Sequence, residues 1–243
     1  MTTTSYPTRI GLEQALEIVA ARCAPHRLPS ETAVLPEAHG RVLAEDILAA
    51  HDLPPFANSA MDGFALRGAD LPQGGERSFV LIGDVFAGAT GAPEVGEGEC
   101  VRITTGAPIP PGADTVVIKE NVRVEGDRVF VRAGEKMGAN VRAAGEDFAA
   151  GDLALKQGAR LLAAQLGAAA ALGLDQVRVC RRPRVAVVVT GDELVPAGKP
   201  LGFGQIHESN GILLAALLRE AGAEVTSRAC VRDNPDALRS ALL

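Results

Sequence analysis

The chain of 243 residues has no tryptophan, one tyrosine and seven phenylalanines. Aromatic rings are the platforms on which single-stranded nucleic acids stack, so that class of binder lacks its usual surface. Basic character is missing too. A formal charge of -6 and a pI near 5.3 argue against a general phosphate-backbone binder and leave room only for a local basic pocket. Cys23, Cys100, Cys180 and Cys230 are widely spaced, with no CxxC pair. A zinc ribbon is therefore excluded, a disulfide framework has no support, and reduced thiols are expected. There is no apolar run of 18 residues, and Met1-Thr2-Thr3-Thr4-Ser5 lacks the charged-then-apolar order of a secretory signal. The expectation is a cytoplasmic protein with no nucleic-acid partner and no membrane association. His26, His39, His51 and His207 show no metal-ligand spacing. Neither a Gly-x-Ser-x-Gly elbow nor a Walker phosphate loop occurs.

What is present is ordinary for a globular chain: 47% hydrophobic and 22% charged residues, with an aliphatic core. Leu12, Ala15, Leu16, Val19, Ala20 and Cys23 fall at helical spacing, and Pro25 ends that helix near Ala24. Residues 31–48 read as a short strand, a turn, and a second strand or short helix. From 49 to about 147 glycine and proline become frequent. Short β-type runs occur at 79–82, 100–103 and 115–118, and 122–131 is a hairpin with a two-residue Gly126-Asp127 turn. This region predicts an all-β domain, a small barrel or sandwich. A helix is expected over 161–171, with an Ala-rich, close-packed face and a stop at Gly173.

The apolar run 184–189 suggests a strand buried on both faces. Ser209 or Asn210 can cap a helix that Gly222 closes. A second strand over 223–231 follows, and Asp233-Asn234-Pro235 starts another helix. Strand, helix, strand, helix implies parallel pairing. Two strands and two helices are too few to cover both faces of such a sheet, so the remaining strands are expected to lie outside this chain.

Three loops and one rim carry candidate chemistry. Pro54-Pro55-Phe56-Ala57-Asn58-Ser59-Ala60-Met61-Asp62-Gly63 reads as a rigid polar loop aiming Asp62. The prolines fix its entry, and Asp-Gly permits the positive φ of a tight turn. Thr105 sits where a strand runs into Thr-Gly and then a proline-stiffened loop, a place to hold an oxyanion. Arg142 can pair with phosphate, with Glu146 and Asp147 beside it. Glu193 and Asp233 follow two successive strands and so face one crevice, where two carboxylates suit Mg²⁺. Each feature also has a plainer explanation: a surface turn, a solvated charged loop, or an acid favoured at a helix N-terminus.

Taken together, PPFANSAMDGFA, VRITTGAPIPPGADTVV, NVRAAGED, VVVTGDELV, GQIHESNG and VRDNPDAL, in this order over residues 54–240, resemble the molybdopterin molybdenumtransferase family, MoeA and the gephyrin E domain. The resemblance implies an elongated multidomain subunit, α/β plus β, working as a homodimer with its active site in a cleft shared between subunits. The implied domains are 1–48 plus 149–178 (linker and dimerisation), 49–148 (inserted β-rich) and 179–243 (an incomplete molybdopterin-binding α/β domain). The implied substrates are adenylylated molybdopterin and molybdate, with Mg²⁺ as cofactor and AMP released. Asp62, Thr105, Arg142 and Asp147 would be catalytic; Thr105, Arg142 and Asn210 would bind the cofactor precursor; Glu193 and Asp233 would hold the metal. A molybdopterin adenylyltransferase and molybdoenzymes are the implied further partners. Ala57 departs from the Asp more frequent at that position in the family. The family also includes scaffolds such as gephyrin, which makes a non-catalytic binding module the alternative. The chain taken alone is expected to be inactive.

Overall fold

The computed structural model describes residues 10–242. In chain order the elements begin with α1 (Leu12–Cys23), β1 (Ser30–Val34), β2 (Ile47–Leu48), β3 (Asn58–Ser59) and β4 (Gly63–Leu66). They continue with β5 (Glu76–Val85), β6 (Glu99–Ile103), β7 (Thr115–Ile118), β8 (Val122–Glu125), β9 (Arg128–Arg132), β10 (Val141–Arg142) and β11 (Leu153–Leu155). Then follow α2 (Ala163–Ala171), β12 (Gln176–Cys180), β13 (Arg184–Thr190), β14 (Leu194–Val195), β15 (Ile206–His207), α3 (Asn210–Glu220), β16 (Glu224–Val231) and α4 (Pro235–Leu242). Two compact units result: Met1–Glu45, Gln157–Leu166 and Asp175–Leu243 form one, and Asp46–Lys156 and Gly167–Leu174 the other.

The second unit is built on a six-stranded sheet ordered β7-β4-β6-β5-β9-β8. Flat, its outermost strands would lie about 24 Å apart at the usual inter-strand spacing. Only Lys119–Asn121 joins β7 to β8, and three residues reach about 10 Å. The sheet therefore has to curl until its edges approach, which gives the barrel-like character the turn-rich sequence suggests. Side chains alternate across it. Phe64, Leu66, Phe79, Cys100, Val117, Val129 and Val131 pack on one face, while Ala65, Val85, Val101, Ile103 and Val116 pack on the other. Along β5 the parity changes because the pairing with β6 shifts register between Leu81 and Asp84. That extra residue lets Phe79 and Val85 serve opposite cores. The 122–131 hairpin forms as its sequence indicates, with Val122 opposite Val131 and Glu125 opposite Arg128.

In the first unit β13 and β16 pair in parallel, from Arg184 opposite Glu224 to Thr190 opposite Val231. The crossover is α3, closed at Gly222 with φ 95°. β1 pairs antiparallel with β12. Burial differs from the sequence expectation here. Of β13 only Val187 is buried, so the strand is not covered on both faces. α1 spans the expected residues but buries none of them, and Leu12, Leu16 and Val19 stand exposed. α2 buries Ala169 alone, so its alanine face is not close-packed among the described residues. Ser209 occupies the N-cap of α3 without a side-chain cap; Gly211 N instead donates to Glu208 Oε1 at 2.5 Å. No helix among the described residues is long and apolar enough to cross a membrane.

Two outcomes test this core. Phe79 is fully buried, and Phe79→Ala should cost about 3–5 kcal/mol in urea unfolding. Burial also pushes the Cys100 thiol up to about 12, which leaves almost no thiolate at neutral pH. Alkylation with iodoacetamide at pH 8 should modify exposed Cys23 and spare Cys100 until the protein unfolds.

Candidate functional site

The centre of the site is β3, two residues long and buried in spite of being polar: Asn58 is 6% exposed and Ser59 1%. On one side it pairs with β10, setting Ser59 opposite Val141 and Asn58 opposite Arg142. On the other side Ser59 N donates to Ala107 O at 3.0 Å, and Gly106 N donates to Ser59 O at 2.8 Å. Further bonds tie in the neighbouring loop: Ala60 N to Asn140 O, Gly145 N to Pro54 O and Asp147 N to Leu53 O, each 2.9 Å. The Asp62, Thr105 and Arg142–Asp147 segments are thus laced together through one backbone strip. The Ser59 hydroxyl donates to Met61 O at 2.6 Å and turns the chain toward Asp62.

Asp62 stands at the head of β4. Its Oδ1 accepts from Thr105 N and from Thr105 Oγ1, both at 2.9 Å, and its Oδ2 accepts from Lys119 Nζ at 3.3 Å. The Thr105 amide is available because Thr104–Ala107 forms a tight turn, with Ala107 N bonded to Thr104 O and Gly106 at φ 80°. These donors, led by the Thr105 amide and followed by its hydroxyl and by Lys119, hold the Asp62 carboxyl below its ordinary value of 3.8. Gly63 differs from the turn glycine that Asp62-Gly63 suggests. It does not adopt positive φ; instead, a Cβ there would lie 2.1 Å from Val117 O. Glycine is needed so that β7 can approach, and β7 is what delivers Lys119.

Lys119 is the residue the sequence reading missed. Its backbone N donates to Asp62 O at 3.1 Å, continuing the β4–β7 ladder in which Gly63 faces Ile118. Only that long-range register brings the ammonium to the carboxylate, and no local motif announces it.

Arg142 bonds Asp147 Oδ2 at 2.8 Å and approaches Glu146 Oε1 at 3.4 Å, and both contacts raise its pKa. In the free protein this guanidinium is already held by acids. All three side chains are between a third and a half exposed, so solvent screens the pairs and their worth to folding is small.

Glu193 and Asn210 line one cavity of about 480 Å³ with His207, Glu208 and Thr190. Asp233 follows β16 just as Glu193 follows β13, and Gly191 N bonds Val231 O at 3.2 Å, so the two strand ends are adjacent. Asp233 is not part of the cavity lining. No cluster of three or more His, Cys, Asp or Glu suited to a metal ion occurs among the described residues. Of the two strand-end acids only Glu193 opens into the cavity, a single carboxylate of the kind that holds Mg²⁺ when water and substrate phosphate complete the shell.

A mixed α/β protein with a curled β sheet, and with polar loops laced around the Asp62 carboxylate, is the class these features define. Residues 10–173 match the family model "MoeA N-terminal region (domain I and II)", and residues 186–243 match "Probable molybdopterin binding domain"; the chain belongs to the MoeA family. It is 41% identical over 204 residues to molybdopterin molybdenumtransferase of Nostoc sp., covering 83% of this chain and 47% of the relative. To molybdopterin molybdenumtransferase 2 of Mycobacterium tuberculosis it is 41% identical over 215 residues, covering 87% and 52%. The crystal structure of the molybdopterin biosynthesis moeA protein of Pyrococcus horikoshii OT3 superposes with a TM-score of 0.80 at 33% identity, covering 88% of this chain and 58% of that one. The chain spans about half the length of the curated relatives it matches.

Thr105→Val removes one Asp62 donor and keeps the amide bond. A carboxylate depressed in the fold contributes stability above its ordinary value and loses it as pH falls through the lower folded value. A carbon-detected NMR titration should therefore place the Asp62 midpoint lower in the native protein than in Thr105→Val. Equal midpoints would remove the hydroxyl from the account.

Proposed function

We propose that the protein acts in molybdenum cofactor biosynthesis, inserting molybdenum from molybdate into adenylylated molybdopterin with release of AMP. The observation that carries this reading is the convergence on β3 of the three loops that bear Asp62, Thr105 and Arg142–Asp147, the same segments that carry the family motifs. Asp62 is kept ionised by three donors and offers a fixed acceptor to N–H or O–H groups of the substrate. Thr105 locks that carboxylate in direction. Arg142 exchanges its acidic neighbours for an oxyanion when substrate arrives, and Asp147 returns it to position afterwards. Asn210, in the cavity with Glu193, supplies an amide to the polar edge of the pterin.

Glu193 and Asp233 are the residues that would hold Mg²⁺. When bound, the ion would supply charge neutralisation to the phosphoanhydride of the adenylylated substrate. On this reading the working form is a cytoplasmic homodimer that receives its substrate from a molybdopterin adenylyltransferase and passes its product to molybdoenzymes.

The test uses the full-length protein. Glu193→Gln and Asp62→Asn should each lower AMP release from adenylylated molybdopterin in the presence of molybdate by at least about tenfold. Both variants should also fail to complement a molybdenum-cofactor-deficient strain. Wild-type rates in both would sink the assignment.

A further inference from the structure

A cavity of about 790 Å³ in the first unit contains none of the residues assigned above. Its wall holds Arg27, Arg41, Arg160, Arg181, Arg182 and His26, and no carboxylate among the described residues lines it. In a chain of net charge -6 this is a concentrated patch of the opposite sign. Two of the guanidiniums are partly committed. Arg41 bonds Glu31 Oε1 at 2.5 Å and Cys180 O at 2.8 Å, and Arg181 lies 3.5 Å from Glu31 Oε2. One carboxylate thus serves two arginines from outside the lining. Arg27, Arg160 and Arg182 have no carboxylate partner among the described residues.

The fold builds this arrangement from several elements. Arg27 follows α1, Arg41 lies beyond β1, Arg160 precedes α2, and Arg181 and Arg182 connect β12 to β13. Arginines from four parts of the chain thus line one cavity, where a bound anion would meet several guanidinium donors at once. Pairing alone does not account for them, because the one acid in an ion pair with the lining serves two of the five arginines. Leu28, Val42 and Pro183 add an apolar wall to the same cavity. Its volume falls in the range of small-molecule sites, and a polymeric polyanion would meet an acidic protein beyond the rim.

We propose that this cavity binds a small phosphorylated organic molecule bearing at least two negative charges, of the nucleoside diphosphate class. Its phosphates bond the guanidiniums of Arg27, Arg160 and Arg182 in bidentate fashion. Its organic body rests on Leu28, Val42 and Pro183. Arg41 is fixed by Glu31 and the Cys180 carbonyl, so it presents charge without having to be ordered by the ligand.

The test is titration of the full-length protein with ADP, pyrophosphate and sulfate at matched ionic strength, followed by calorimetry and melting temperature. ADP should bind saturably and raise the melting temperature, pyrophosphate should bind more weakly, and sulfate should do neither. The double variant Arg27→Ala/Arg182→Ala should keep its ligand-free melting temperature and weaken ADP binding at least about tenfold. Asp62→Asn and Glu193→Gln should leave intact the component of ADP binding that Arg27→Ala/Arg182→Ala removes, which separates the cavity from the proposed substrate residues. Absence of saturable ADP binding, equal response to sulfate, or undiminished binding in the arginine variant would overturn the proposal.

Discussion

The backbone pairing of Asn58 and Ser59 is the constraint on which the site rests. Buried amides and carbonyls have to find partners, and these two residues are nearly inaccessible. Their partners come from both sides: Val141 and Arg142 on one, Gly106 and Ala107 on the other. Segments some 50 and 80 residues away are thereby obliged to meet. Closing loops of that length has an entropic cost that grows only slowly with length, so a few well-placed backbone bonds suffice to hold the arrangement. Asp62 follows the central strip by three residues, and Arg142 belongs to its partner strand. Position of the functional groups is therefore a consequence of main-chain satisfaction rather than of side-chain attraction.

The curled sheet supplies the second half of the arrangement. Because three residues connect its edge strands, β7 must end close to where β8 begins, and Lys119 lies at that junction. The same strand runs beside β4 so tightly that only glycine fits at position 63. Sheet closure, the missing side chain and the ammonium next to the carboxylate are one geometric fact seen at three scales.

Much of this was legible in the residues themselves. Local patterns are short-range, and short-range features came through: the 122–131 hairpin, the runs at 79–82, 100–103 and 115–118, and the parallel pair separated by α3. Burial was less legible, because it depends on what lies opposite. Leu12, Leu16 and Val19 have the spacing of a core-facing stripe yet remain exposed, and Val188 and Val189 are only half-buried in a run that reads as fully covered. Competition at the α3 cap was equally hidden, since Ser209 holds the position but Glu208 makes the bond. Lys119 was invisible for a different reason. Its role exists only in the β4–β7 register, which no stretch of either strand specifies alone.

How Asp62 is tuned narrows what it can do. A carboxyl that shuttles protons near neutral pH is usually raised by burial, so that both protonation states are accessible. Asp62 is treated in the opposite way: it is close to half exposed, and an amide, a hydroxyl and an ammonium all favour its charged form. Its negative charge is thus constant across the physiological range. A constant charge cannot serve as a general acid, but it can orient a donor-bearing substrate and hold Lys119 at its side. Arg142 follows the same logic with the sign reversed, being kept cationic by Asp147 and Glu146. The loops around β3 therefore present fixed charges of both signs on a rigid frame, which suits positioning of a polar, anionic molecule better than proton transfer to it.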